Sequence, residues 1–306
     1  DGDQFTLGDG TPLRAWGVNL GSGALELDDA QIDLLALRLA RRGVNMARLH
    51  GALFDRNGND PMAVNARRLD RLQYLVAALK KQGIYSLISS YFPLWIDIKA
   101  SDGIAGYDKI ANKHPFGLVF FDARVQELHR AWLKKMLTAK SPYSAKPLGE
   151  DPAVAAVEAV NEDSLFFWTF SERNVPAEIL AALEKKYAAW LAKRYGSAQK
   201  ALAEWPSARH KNDGGDRVGL LDPWHLTAQG LGAGDHRKRA VDQARFYAET
   251  QFAFYADLKK FLRGLGAKNL VVASNWITAD AATLGPLERW SYTAVAVVDK
   301  HGDFGG

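Results

Sequence analysis

A short, nearly continuous apolar run that closes on polar residues and leads into an amphipathic helix recurs along the chain. That unit constrains the fold more than anything else in the sequence. Val44–Leu49 is one such run, with Arg48 and His50 at its carboxyl end. Asn65 then opens a helix carrying Leu69, Leu72, Leu75, Val76 and Leu79 at helical spacing, and Gly83 ends it. The run Ala15–Leu20 comes before, followed by a helix capped by Asp28 with Ile32, Leu35 and Leu39 on one face. Ile84–Ser89 comes after, and beyond a long loop Asp122 opens the helix of Val125, Leu128, Trp132, Leu133 and Met136. Ala153–Val160, Asn269–Ser274 and Thr293–Val298 read as the fourth, fifth and sixth strands. Between the fourth and fifth lie a helical region from Pro176 to Trp205, a Gly- and charge-rich stretch from Ser207 to Asp235, and a long helix from Val241 to Leu265. Gly8-Asp9-Gly10, between short apolar runs, predicts a hairpin at the amino end.

Strands without polar alternation are buried on both faces, which means a parallel sheet covered by helices. A doubly wound sheet and a (β/α)₈ barrel both meet that description. No Gly-rich phosphate loop follows any strand, so the nucleotide-binding version lacks its main support. The strand ends instead carry Asn19, Arg48 and His50, Tyr91, Asn161 and Glu162, Asn275 and Trp276, Asp299 and His301. Loading the carboxyl ends of many strands is how a barrel gathers a site on one face. The expectation is therefore an α/β fold: a (β/α)₈ TIM barrel with strands 1–6 present, a short N-terminal β-hairpin, and a helical insertion after strand 4 at about residues 165–240. Residues 1–306 are read as a single domain. Two further βα units, each on the order of 30 residues, are expected to continue the barrel.

Composition narrows the function classes. Hydrophobic residues at 47% and charged residues at 24% describe a globular chain, and a formal charge of +4 over 306 residues is too small to indicate nucleic-acid binding. The one dense basic run, His236 to Arg239, reads as a solvated helix start. No segment reaches the roughly 18 apolar residues of a membrane span. With no cysteine there are neither disulfides nor thiolate zinc sites. The chain opens at Asp1 without a visible leader, which fits a mature, extracytoplasmic protein, secreted or periplasmic. Nine Trp, ten Tyr and fourteen Phe supply rings on which sugars stack, although Trp132, Trp190 and Trp205 sit among Leu and Ala at helical spacing and read as core.

Four motifs in order carry a resemblance. The segment Asp151 to Glu162, DPAVAAVEAVNE, resembles the fourth strand of clan A glycoside hydrolases, which include the family 5 cellulases and mannanases. NMARLH at 45–50 is similar to their second strand, SNW at 274–276 to their fifth, and DKH at 299–301 to their sixth. WLAKRYGSAQKALAEW at 190–205 looks like the helical insertion of the family 42 β-galactosidases. The resemblance implies a retaining hydrolase of β-linked oligo- or polysaccharides, without a cofactor. It makes Glu162 the general acid/base and Arg48 the support of a Glu nucleophile at the end of a seventh strand, beyond residue 306. Where the sixth strand of the family places a Tyr two residues after the His, this chain has Asp303.

The chemistry explains the residue types. One carboxylic acid must protonate the leaving oxygen, and a second carboxylate, about 5–5.5 Å away in retaining enzymes, must attack the anomeric carbon. Asn161 is expected to bond the sugar 2-hydroxyl, and the fork-shaped guanidinium of Arg48 to hold the nucleophile ionised. Tyr91, Trp95 and Trp276 are candidate stacking platforms, and His50 and His301 candidate sugar contacts. Glu158 reads as a barrel-layer residue paired with a base. Two other readings stay open: a metal-dependent sugar isomerase-type barrel using His50, Glu162, Asp299 and His301, and a barrel that binds carbohydrate without catalysis.

Overall fold

The computed structural model describes residues 4–55 and 60–302. Five parallel strands form its sheet: β1 (Gly17–Leu20), β2 (Met46–His50), β3 (Tyr85–Ser89), β4 (Val154–Glu158) and β5 (Leu270–Val272). They lie side by side in chain order, β1-β2-β3-β4-β5. A doubly wound sheet reverses its strand order at a switch point, whereas sequential winding is that of a (β/α)₈ barrel. The register pairs Asn19 with Arg48, His50 with Ser89, and Ser89 with Glu158, which lines up polar groups at the carboxyl ends. Alternation along each strand turns Ala47, Leu49, Ile88, Val157 and Val271 into the core. The opposite side bears Arg48, His50, Ser89 and Glu158.

The helices begin where local chemistry starts them. Helix α1 (Asp29–Ala40) opens on a capping box in which Asp28 and Gln31 bond each other's backbone N–H, and it buries Ile32 and Ala36. Helix α2 (Ala66–Lys81) is capped by Asn65 and buries Leu72, Leu75, Val76 and Leu79. Helix α3 (Ala123–Thr138), capped by Asp122, buries Leu128, Trp132 and Leu133. The amino-terminal hairpin closes through a Thr6–Pro12 antiparallel bridge. Among the described residues no helix is long and apolar enough to cross a membrane.

The insertion after β4 contains α4 (Ala177–Tyr195) and α5 (Ala198–Ala203), and a long return segment leads into α6 (Gly234–Gly264). Here the reading of residues 236–239 as a solvated run needs correction at Arg239, which is fully buried. Its guanidinium forks onto Asp213 with two 2.7 Å bonds and also donates to the carbonyls of Ala208 and Gly219. That single side chain fastens the Gly-rich return segment to α6. Glu184 of α4 fastens it again through Asn212, Arg217 and the amide of Leu220.

The sixth strand is a second correction. Helix α7 (Gly285–Tyr292) runs to the edge of the region read as strand, and residues 293–295 continue it as turns bonded back to Trp290, Ser291 and Tyr292. Among the described residues this segment meets β5 through one isolated parallel bridge, Val272–Val297, and the amides of Ala296 and Val297 donating to the Val271 carbonyl at 3.2 and 3.3 Å. A ladder needs partners, and among the described residues the outer side of 293–298 has none.

Candidate active site

Beyond β4 the chain stays in the sheet for two more residues, Ala159 and Val160 donating to Val272 and Ala273, and then turns at Asn161–Glu162. The Asn161 amide donates to the Tyr91 carbonyl at 2.9 Å. The Glu162 amide donates to Oδ1 of Asn275 at 3.0 Å. Glu162 has φ +46° and, among the described residues, is the one non-glycine in the left-handed region. That conformation costs an L-residue about 1–2 kcal/mol. Strain of this kind persists where surrounding contacts impose it, and it concentrates at functional sites.

The Glu162 side chain, 26% exposed, borders an open groove of about 370 Å³ shared with Asn19, Arg48, His50, Asn161, Lys300 and His301. Beneath the groove lies a buried polar network. Arg48 holds Glu158 by two bonds, Nε at 2.9 Å and Nη2 at 2.8 Å, and Nη2 also reaches Oδ1 of Asn161 at 2.7 Å and Oγ of Ser89 at 3.1 Å. Ser89 gives its proton to Glu158 at 2.5 Å, so toward Nδ1 of His50, 2.9 Å away, it accepts. The His50 proton therefore sits on Nδ1, and Nε2 remains an acceptor. Burial, then repulsion from Arg48 and His301, brings the His50 pKa down to about 4, so the ring is neutral at neutral pH. Burial pushes the Glu158 carboxyl up, against the opposing pull of Arg48 and Ser89.

His301 meets Glu162 directly, Nδ1 to Oε1 at 2.8 Å. Its own amide donates to the Asn275 carbonyl at 2.9 Å. Asn275 is wholly buried, and its Nδ2 donates to Glu158 at 3.1 Å. One asparagine therefore fixes the amide of Glu162, the position of its histidine partner and the buried carboxylate below.

The candidates named from sequence divide. Glu162, Arg48, His50, Asn161 and His301 converge on the groove. Tyr91 does not: it is buried in the core, packed on His129 and Trp132 of α3 with centroid distances of 4.8 and 6.4 Å. Trp95 lies one layer back, 4.4 Å from the His50 ring, and Trp276 packs edge-on against Phe167 at 5.1 Å. Ser89 and Asn275 hold the arrangement together. Their positions at strand ends were visible in the sequence, but their roles depend on which strands become neighbours. The expected metal set of His50, Glu162, Asp299 and His301 is not the one brought together. The trio whose donor atoms fall within 4.8 Å of one another is Glu158, Asp299 and His301. Arg48 already forks onto Glu158, and a guanidinium at that carboxylate repels a cation, so the trio does not fit a divalent metal. Asp303 lies outside the described residues.

No protein-family model and no curated protein sequence matches the chain. Solved structures do. A β-galactosidase from the psychrophilic Marinomonas ef1 superposes with a TM-score of 0.62 at 16% identity, over 93% of this chain and 40% of that one. A family 42 β-galactosidase from G. stearothermophilus superposes with a TM-score of 0.53 at 14% identity, over 86% of this chain and 35% of that one. The chain shares the fold of these two β-galactosidases and spans well under half the length of either.

Proposed function

We propose that this chain carries the acid/base half of a retaining glycoside hydrolase acting on β-linked oligo- or polysaccharides. The observation that carries the reading is Glu162: a strained carboxylate at the end of β4, fixed by Asn275 and facing an open groove. In this reading Glu162 protonates the glycosidic oxygen as the bond breaks and deprotonates the attacking water afterwards. Asn161, whose Oδ1 is held by Arg48, offers its amide hydrogens to the sugar 2-hydroxyl. His50 presents Nε2 as an acceptor for a sugar hydroxyl, and the His301 ring, hydrogen-bonded to Glu162, holds that carboxyl in place. The nucleophile is a second carboxylate carried by a strand seated on the open side of the sheet, within reach of Arg48. A saccharide-acting role is supported by the β-galactosidase neighbours, whose fold this chain shares. A polymeric substrate goes with an extracytoplasmic location.

Glu162→Gln separates this reading from its rivals. Hydrolysis of glycosides with poor leaving groups is expected to fall by about 10²–10⁴-fold, whereas activated aryl glycosides, which need little protonation, lose much less. Equal losses on both substrate types would remove Glu162 from the acid role.

A further inference from the structure

A larger cavity, about 740 Å³, lies outside this groove, between the β4–α4 loop, α4 and the return segment of the insertion. Its volume is in the range of small-molecule sites. The loop that forms one wall is the one that carries Glu162, and Phe167 within it packs on Trp276 just past the end of β5. Trp168, 44% exposed, presents a ring to this space.

The charges around the wall are unevenly satisfied. Lys211 pairs with Glu172 at 2.9 Å, Glu184 is held by Arg217 and Asn212, and the Asp222 carboxylate caps the amide of Trp224 at 3.0 Å. Arg173 and Arg209 also line the cavity, and among the described residues neither has an ion pair or hydrogen bond. Two guanidinium groups without an ion-pair partner among the described residues and an exposed indole thus line one cavity. A guanidinium forks onto a carboxylate or sulfate, and a sugar ring stacks on tryptophan.

We propose that this cavity is a second saccharide site selective for anionic sugars, in which Arg173 and Arg209 clasp a carboxylate or sulfate group while Trp168 stacks on its ring. The saccharide part rests on the functional reading above; the anionic selectivity rests on the two arginines. It gives the insertion a task distinct from bond cleavage, namely retaining an acidic oligosaccharide.

Calorimetric titration of the full chain with an oligouronate tetramer, a sulfated oligosaccharide and an uncharged oligosaccharide tests this. Either anionic probe is expected to bind at least about tenfold more tightly than the neutral one, because only an anion makes charge-assisted bonds to the two guanidinium groups. The two anionic arms tell carboxylate from sulfate. An R173Q/R209Q double substitution should remove the preference, and Trp168→Ala should weaken binding of the preferred probe. All three side chains are exposed, so these variants keep the fold, which their melting temperatures check. Glu162→Gln should bind as the unaltered protein does, which separates this site from the catalytic reading: either can fail without the other. Equal affinity for charged and neutral probes would overturn the proposal. So would affinity that survives the double substitution, or binding of inorganic sulfate as strong as that of the oligosaccharides.

Discussion

Glu162 is held in a backbone conformation that its own side chain disfavours, and a measurement of stability can detect that. At an ordinary position glycine is less stable than alanine by roughly 0.5–1 kcal/mol. At φ +46° the order should invert, because alanine keeps the Cβ penalty of about 1–2 kcal/mol and glycine does not. Glu162→Gly is thus expected to melt above Glu162→Ala in paired thermal unfolding. The usual order would mean that residue 162 relaxes out of the left-handed region and that Asn275 does not constrain it. At this scale the sequence was informative where chemistry sits at a strand end: Arg48, His50, Asn161, Glu162 and His301 all line the groove. Tyr91 and Arg239 show where such reading fails. Both are polar-tipped residues just outside a periodic run. Whether each meets solvent or core depends on partners far away in sequence: His129 and Trp132 for Tyr91, and Asp213 for Arg239.

The element that aims Glu162 is the end of β4, and Asp163 clamps it. Both Asp163 oxygens accept from the Gly117 amide, at 3.0 and 2.9 Å, and Oδ1 also accepts from Ser164. Gly117 has φ +72°, and a Cβ there would lie 2.4 Å from the Phe170 ring, so the clamp needs glycine on its other side. Burial raises the Asp163 pKa from 3.8 to about 7. Between those values the folded state holds a proton that the unfolded state has released. Stability from this group therefore falls as pH rises from about 4 to about 7 and is level above that. The full effect is on the order of 4 kcal/mol. Glu288 acts in the same direction, and His50, lowered to about 4, acts in the opposite one, losing stability as pH falls below 6.5. Asp163→Asn keeps an acceptor for Gly117 and cannot ionise. The difference in unfolding free energy, substituted minus native, is accordingly expected to grow in favour of the substituted protein between pH 4 and 7. A difference independent of pH would show that Asp163 titrates normally. Elements with strong local signals were legible: caps at Asp28, Asn65 and Asp122 start helices where the sequence places them. The run Thr293–Val298 has strand-forming residues too, but a strand also requires a neighbour, and composition cannot report one that is missing.

Across the whole molecule, five parallel strands leave the sheet open, with β1 unpaired on its outer side among the described residues and β5 joined to the next segment by a single bridge. Trp16, at the start of that open edge, is 66% exposed. Eight strands are needed to close a barrel of this winding, and unpaired edges invite a further strand. Sequence periodicity was enough for the barrel winding, because each unit announces itself; the insertion's interior was not legible, because Arg239 and Glu184 organise it through contacts across more than twenty residues. The most direct test of Glu162 as acid/base is azide rescue of Glu162→Ala in the protein as it occurs, with an activated aryl β-glycoside as substrate. Azide fits the space left by the carboxylate and attacks a glycosyl-enzyme without base assistance. The expected result is restored turnover yielding a β-glycosyl azide. An α-glycosyl azide would make Glu162 the nucleophile instead, and full activity of Glu162→Ala without azide would deny it any part in the chemistry.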